Sequence, residues 1–102
     1  MTIPSNGLPP IHPGEILREE LATLGLSANA LAKTLRVPTN RVTAILNGER
    51  GISASTALRL ARFFATSPEF WLNLQAQYDL KLALKQEAAA IARIKPRRTL
   101  AA

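Results

Sequence analysis

The side chains best suited to molecular recognition in this chain are small polar groups at helical spacing. Four of them fall on one side of a helix over residues 39–46, at about 100° per residue: Thr39, Asn40, Thr43 and Ala44. An Asn amide pairs with both the acceptor and the donor of an adenine edge, Thr can donate, accept or touch a thymine methyl, and Ala permits close approach. This pattern predicts that the four residues contact base edges in a major groove.

The chain offers little for catalysis. Its 102 residues include no cysteine and one histidine, which excludes a thiol nucleophile and a Cys- or His-rich metal site. That histidine, His12, precedes Pro13 at a predicted helix start, where a surface or capping role is expected. Glu19 and Glu20 are adjacent on a helix and therefore diverge, so they do not form an acid–base pair. We predict a protein that is not an enzyme and uses no metal and no cofactor.

Positive charge is concentrated in two stretches. Thirteen Lys and Arg against seven Asp and Glu give a formal charge of +6. Residues 33–62 hold six basic side chains and one acidic one, a balance of +5, and residues 93–102 add four basic side chains. A basic surface on a small domain favours a polyanionic partner, with nucleic acid first and a membrane surface second. We expect DNA phosphates to be contacted by the amide of Ala28 and by the side chains of Lys33, Arg41, Asn47 and Arg50.

The apolar pattern predicts an all-α protein of five helices. Spacings of three and four recur between turn and capping signals, which places helices over 13–24, 28–35, 39–46, about 54–64 and 68 to about 93. We predict a flexible arm over 1–11, a DNA-binding domain with a C-terminal dimerisation helix over 12–93, and a basic disordered tail over 94–102. The tail either solubilises the chain or has a role of its own. No secretory signal or membrane-spanning run is evident, so a cytoplasmic protein without a membrane partner is expected.

The second and third predicted helices form a compact pair with apolar residues facing inward. Ala32 is the small residue at which the two helices cross. The segment that begins at Ser27, SANALAKTLRVPTNRVTAILNGERGIS, resembles the helix-turn-helix core of the Cro/C1, or XRE, class of repressors. Its flanks, HPGEILREEL from His12 and ALRLARFFATSPEFWLNLQAQYDL from Ala57, resemble the HigA antitoxins of bacterial type II toxin–antitoxin modules. The turn of that class usually contains Gly where this chain has Arg36. A left-handed Arg there would cost about 1 kcal/mol, so either the turn differs locally or that strain is tolerated.

The resemblance implies a fold and a set of partners. The fold is a five-helix Cro/C1-type DNA-binding domain, similar to that of lambda repressor, with an extended C-terminal helix. The implied function is that of a homodimeric antitoxin that binds a palindromic operator on double-stranded DNA, represses its own operon and neutralises a HigB-type, RelE-like mRNase toxin. Charge alone suggests the toxin contacts, because acidic side chains on the first helix would attract a basic toxin: Glu15, Glu19 and Glu20.

The last helix carries more apolar surface than one small domain can bury. One narrow sector contains Trp71, Leu74, Tyr78 and Leu82, and a broad opposite sector contains Leu72, Ala76, Leu80, Leu84 and Ile91. We predict that Phe70, Trp71 and Leu74 close the core and that Leu80 and Leu84 help form a two-fold interface. Such a dimer sets its two recognition helices about 34 Å apart. The competing interpretation is an exposed helix rich in Ala and Leu.

Two other interpretations of the whole chain stay open at this stage. A stand-alone XRE-type regulator would share the DNA-binding features and lack a toxin partner. A protein-interaction module would bind only protein, and its third helix would then present a neutral or bulky outward face, which this sequence does not have.

Overall fold

The computed structural model describes residues 9–97, which form five helices: α1 (Pro13–Leu24), α2 (Ala28–Leu35), α3 (Thr39–Leu46), α4 (Ala54–Phe64) and α5 (Pro68–Ala92). No strand occurs in this range, and none of its helices is both long and apolar enough to cross a membrane. The predicted helix bounds and the all-α class are confirmed. Residues 1–8 of the predicted arm and 98–102 of the predicted tail lie outside the described residues.

Three of the helices are capped by a serine that directly precedes the first helical residue. The hydroxyls of Ser27, Ser53 and Ser67 each accept a hydrogen bond from the backbone N–H three residues later, before α2, α4 and α5 respectively. Such a cap satisfies one of the amides that have no partner within the helix. The starts of these helices are therefore specified locally, which is why they could be predicted from the sequence.

His12 caps α1 in a different way. Its Nδ1 accepts from the N–H of Gly14 at 2.9 Å, and the carboxylate of Glu15 accepts from the N–H of His12 at 3.3 Å, which completes a capping box. The imidazole is 8% exposed and packs edge-on against Tyr78 of α5, with ring centroids 4.9 Å apart. The predicted capping role is confirmed, whereas a surface location is wrong because the ring is buried between α1 and α5.

The core is one cluster to which all five helices contribute. Its buried side chains are Leu17, Leu21, Leu31, Ala32, Leu35, Val42, Ile45, Ile52, Ala57, Leu60, Ala61 and Trp71. Trp71 is 1% exposed, and its Nε1 donates to the hydroxyl of Thr66 at 3.0 Å. The prediction that Phe70 closes the core is wrong: it is 44% exposed and covers the edge of Trp71 from outside.

Helix α1 lies unusually close to α3. A methyl group added at Gly14 would stand 1.9 Å from the carbonyl oxygen of Ile45, so only a residue without a side chain fits there. The guanidinium of Arg18, one turn later on α1, donates to the carbonyl of Leu46 at 3.1 Å. These two contacts fix the C-terminal half of α3 against α1.

The ends of α2 and α4 adopt left-handed backbone conformations without glycine. Arg36 has φ 60° and ψ 48°, and Ala65 has φ 55° and ψ 42°. A left-handed residue with a side chain costs about 1–2 kcal/mol relative to a right-handed one. The turn between α2 and α3 therefore keeps its left-handed geometry and tolerates this strain at Arg36.

Candidate nucleic-acid interface

The start of α3 differs from the starts of the other four helices. Its N-cap is Pro38, which makes no side-chain hydrogen bond, whereas His12 and three serines cap the other helices of the described chain. The amides of Thr39 and Asn40 are therefore left for an external acceptor. An uncapped helix start attracts anions because its N–H groups and its dipole both favour negative charge.

The residues predicted to contact bases lie together on α3. Thr39 and Asn40 are exposed, and Thr43 and Ala44 are half-buried. The hydroxyl of Thr43 donates to the carbonyl of Asn40 at 3.2 Å, so its methyl group and lone pairs are what it can offer a partner. Asn40 retains an amide able to donate and accept at once, which is the bidentate pattern that matches adenine.

Asn29 belongs to this surface, although the sequence interpretation did not include it. Its Oδ1 accepts a hydrogen bond from the hydroxyl of Thr39 at 2.8 Å, which joins the start of α2 to the start of α3. This bond uses the Thr39 proton and leaves that hydroxyl as an acceptor. The only sequence signal was an Asn placed ten residues before a Thr on the next helix, which is too common a pattern to be informative.

The residues predicted to contact phosphates lie on α2, on α3 and in the segment that follows α3. Lys33, Asn47 and Arg50 are exposed, and Ala28 begins α2, where its N–H has no helical partner. The Oδ1 of Asn47 accepts from the Arg18 guanidinium at 3.4 Å, so the amide N–H groups of Asn47 remain as donors.

Arg41 differs from the other phosphate candidates. Its side chain is half-buried, and within the described residues its Nε is buried without a hydrogen-bond partner. The guanidinium is therefore fixed partly by packing at the flank of α3.

The basic block over residues 33–62 is divided in two by the fold. Arg36, Arg59 and Arg62 line a separate groove beside the last turn of α2, while the start of α2 is joined to the start of α3 by the hydrogen bond between Asn29 and Thr39. These three arginines are not among the residues predicted to contact phosphates. The basic side chains that are predicted to contact phosphates are Lys33 in the last turn of α2, Arg41 on α3 and Arg50 after α3.

The other predicted contact residues lie away from α3. Glu19 and Glu20 are exposed on α1, whereas the carboxylate of Glu15 is engaged in the capping box. Leu80 and Leu84 are 46% and 42% exposed on α5, without a partner in the described chain. The inner sector of α5 is in contrast buried or half-buried, as predicted.

Comparison with known proteins places these features in a family. The helix-turn-helix family model matches residues 17–71, which include every predicted DNA contact. Virulence-associated protein I of Dichelobacter nodosus is 56% identical over 86 residues, which are 81% of this chain and 80% of that protein. An addiction module antidote protein of the HigA family from Coxiella burnetii is 64% identical, with a TM-score of 0.85 over 87% of this chain and 99% of that one. The chain belongs to the HigA family of helix-turn-helix proteins.

A second HigA-family structure carries DNA. The Pseudomonas aeruginosa antitoxin HigA, solved with the higBA promoter, is 46% identical, with a TM-score of 0.83 over 87% of this chain and 99% of that one. Membership of the HigA family confirms the predicted resemblance and the Cro/C1-type fold class.

Proposed function

We propose that this chain is a DNA-binding antitoxin that represses its own operon as a homodimer and neutralises a HigB-type toxin. The observation that carries the proposal is the uncapped start of α3 with a small polar face beside it, in a chain 46% identical to a HigA that binds promoter DNA. The activity is one of binding, so no catalytic residue and no cofactor are assigned. A repressor of this kind would act in the cytoplasm, where the chromosome lies.

In this proposal α3 enters the major groove. Asn40 pairs with an adenine edge through its side-chain amide. Thr39, Thr43 and Ala44 have short side chains, so they contact neighbouring base edges at close approach. Asn29 acts on Thr39, because its hydrogen bond fixes the Thr39 rotamer before DNA arrives. Pre-organised contacts lose less entropy on binding, so this bond contributes to affinity even if Asn29 touches no base.

Phosphate contacts set the position of α3 in the groove. These contacts are proposed to come from the amide of Ala28 at the start of α2 and from the side chains of Lys33, Arg41, Asn47 and Arg50. Such contacts give affinity without sequence preference and orient the protein on the duplex. Each neutralised phosphate contributes about −0.9 to the slope of log affinity against log salt.

The homodimer is proposed to form through α5. Leu80 and Leu84 lie one turn apart on its exposed sector, next to Leu72 and Ala76 along the same face. A two-fold pairing of these faces would hold two copies of α3 at the spacing of successive major grooves, about 34 Å. The corresponding DNA target is a short palindrome.

The toxin surface is proposed on α1. Glu19 and Glu20 are exposed there, and their charges suit a basic partner. Glu15 takes less part, because its carboxylate already binds the backbone N–H of His12. The α1 surface lies on a different helix from the DNA-reading face of α3, so toxin and DNA can in principle be held together.

DNA binding is tested by fluorescence anisotropy with a labelled duplex from the chain's own promoter. We expect binding at low salt that is about 10³-fold or more tighter than binding to a scrambled duplex. Affinity should fall steeply as salt rises. Equal affinity for the two duplexes would refute the sequence-specific repressor.

Toxin neutralisation is tested by co-expression with the adjacent open reading frame. We expect the neighbour alone to arrest growth, and this chain to restore growth and co-purify with the neighbour. A toxic neighbour that this chain neither binds nor neutralises would refute the antitoxin role. It would leave a stand-alone regulator, with DNA binding intact.

A further inference from the structure

A groove beside the last turn of α2 has features that the proposed function does not use. It lies between the last turn of α2 and the exposed side of α4 and has a volume of about 680 Å³. Its lining includes Arg36, Arg59 and Arg62 and contains no acidic residue, so we refer to it as the arginine groove. Helix α2 rises about 12 Å along its length, so the groove and the amide of Ala28 lie at opposite ends of this helix.

The arginine groove also exposes large apolar side chains. Leu58 is 59% exposed and Phe63 is 37% exposed. The Phe63 ring packs edge-on against Phe64 with ring centroids 4.8 Å apart, and Phe64 in turn packs against the buried Trp71 with centroids 5.6 Å apart and the ring planes tilted at 40°. Phe63 is therefore supported by the core, and a partner side chain would cover a preformed surface.

The three arginines are held in different ways. Arg59 donates to the carbonyl of Leu35 at 2.7 Å and therefore closes the C-terminal end of α2. Arg36 is fixed at its backbone by the left-handed cap. Arg62 is exposed one helical turn after Leu58, so α4 presents a cation and an apolar group side by side.

We propose that the arginine groove docks a short acidic segment of a partner protein, in which a large apolar residue is flanked by Asp or Glu. The apolar residue would cover Leu58 and Phe63, and the carboxylates would pair with Arg36 and Arg62. Charge complementarity selects this occupant, because three guanidinium groups without a carboxylate among them attract acidic segments and repel basic ones.

The same charge argument excludes the chain's own C-terminal end as the occupant. Residues 93–102 contain four basic side chains and no acidic one. It also separates this partner from the toxin, since the α1 surface suits a basic protein. The groove therefore adds an interaction to those of the proposed antitoxin.

The proposal is tested with two fluorescein-labelled peptides on the full chain. Each peptide has a Leu-Phe centre, flanked on both sides by Asp and Glu in one and by Lys in the other. Fluorescence anisotropy should show binding of the acidic peptide only. Arg62→Glu should weaken that binding about tenfold, a change of about 1.4 kcal/mol, and Leu58→Ser should weaken it severalfold without a change in charge.

The matched control is Lys85→Glu, which makes the same change of charge at an exposed position of α5. It should leave peptide binding within about twofold, because exposed charges beyond a Debye length are screened. Circular dichroism and promoter affinity are measured on every variant. All three positions are exposed, so the fold and the DNA affinity should be retained.

Each other result would overturn the proposal. The arginine groove is not a docking site for acidic segments if the two peptides bind equally, if neither binds, or if Arg62→Glu and Leu58→Ser leave binding unchanged. A loss of promoter affinity in Arg62→Glu with peptide binding intact would instead make the groove part of the DNA surface. A change in the sedimentation of Arg62→Glu would indicate that a second copy of the chain occupies it.

Discussion

Replacing Gly14 with alanine should destabilise the domain although alanine is the better helix former. The new methyl group would lie 1.9 Å from the carbonyl oxygen of Ile45, and backbone cannot turn aside as a side chain can. To reach an ordinary contact distance, α1 and α3 must separate by about 1.5 Å or more in a close-packed core. Overpacking of this kind costs about 1–3 kcal/mol or more, against a helix-propensity gain of at most about 1 kcal/mol.

The net loss is therefore about 2 kcal/mol, which corresponds to a fall in Tm of about 8–16 °C for a domain of this size. Urea unfolding followed by circular dichroism, at fixed protein concentration, measures the loss directly. Operator affinity should fall as well at temperatures where Gly14→Ala is folded, because the displaced helix is the one proposed to read DNA.

Gly25→Ala is the matched control for this experiment. Gly25 has φ +65° and no atom within 4 Å of the position of the added methyl, so the substitution introduces backbone strain without a clash. It should cost about 1 kcal/mol and leave operator affinity unchanged. A Gly14→Ala protein as stable as the original chain, or one that matches Gly25→Ala in both stability and DNA affinity, would refute the close-approach argument.

Three further predictions concern the DNA face, a helix end and the dimer. Asn40→Ala should reduce operator affinity by about 1–3 kcal/mol per half-site and leave the slope of log affinity against log salt unchanged. Lys33→Ala should instead reduce the magnitude of that slope by about 1.8 per dimer. Anisotropy titrations at several salt concentrations distinguish the two effects, and equal slopes for the two variants would contradict the assignment. Ala65→Gly should raise the free energy of unfolding by about 0.5–1 kcal/mol. Glycine relieves the left-handed strain, and the larger conformational entropy of the unfolded chain at glycine offsets part of this stabilisation. An unchanged urea midpoint would contradict this. Replacing Leu80 and Leu84 together with aspartate should convert the dimer to a monomer in sedimentation and weaken operator binding, while an intact dimer would place the interface elsewhere.

The helices could be predicted because their boundaries depend on neighbouring residues. Ser27, Ser53 and Ser67 act on amides within their own helices, and the apolar spacing of each segment survives in the core. The conformation of Arg36 was not predicted, because the family resemblance indicated only that a glycine usually stands there and left open whether this turn differs locally; the structure shows the left-handed turn.

The features that sequence reasoning missed depend on contacts between helices. The bond between Asn29 and Thr39 requires the crossing of α2 over α3, and the need for glycine at position 14 follows from the approach of Ile45. Charge along the chain likewise does not indicate which end of α2 an arginine borders. For that reason Arg36 and Arg62 were assigned to one basic block that the fold divides.

The far end of α5 has a consequence for the lifetime of the protein in a cell. Every residue from 84 to 97 is exposed, and Trp71 is the only fully buried residue of this helix. The free energy of local unfolding is small for a helical end with so few buried contacts, and proteases cleave unfolded segments. Pairing of two α5 helices would protect it. Newly made chains at low concentration would then be degraded fastest, so that the steady-state amount would rise more steeply than the rate of synthesis.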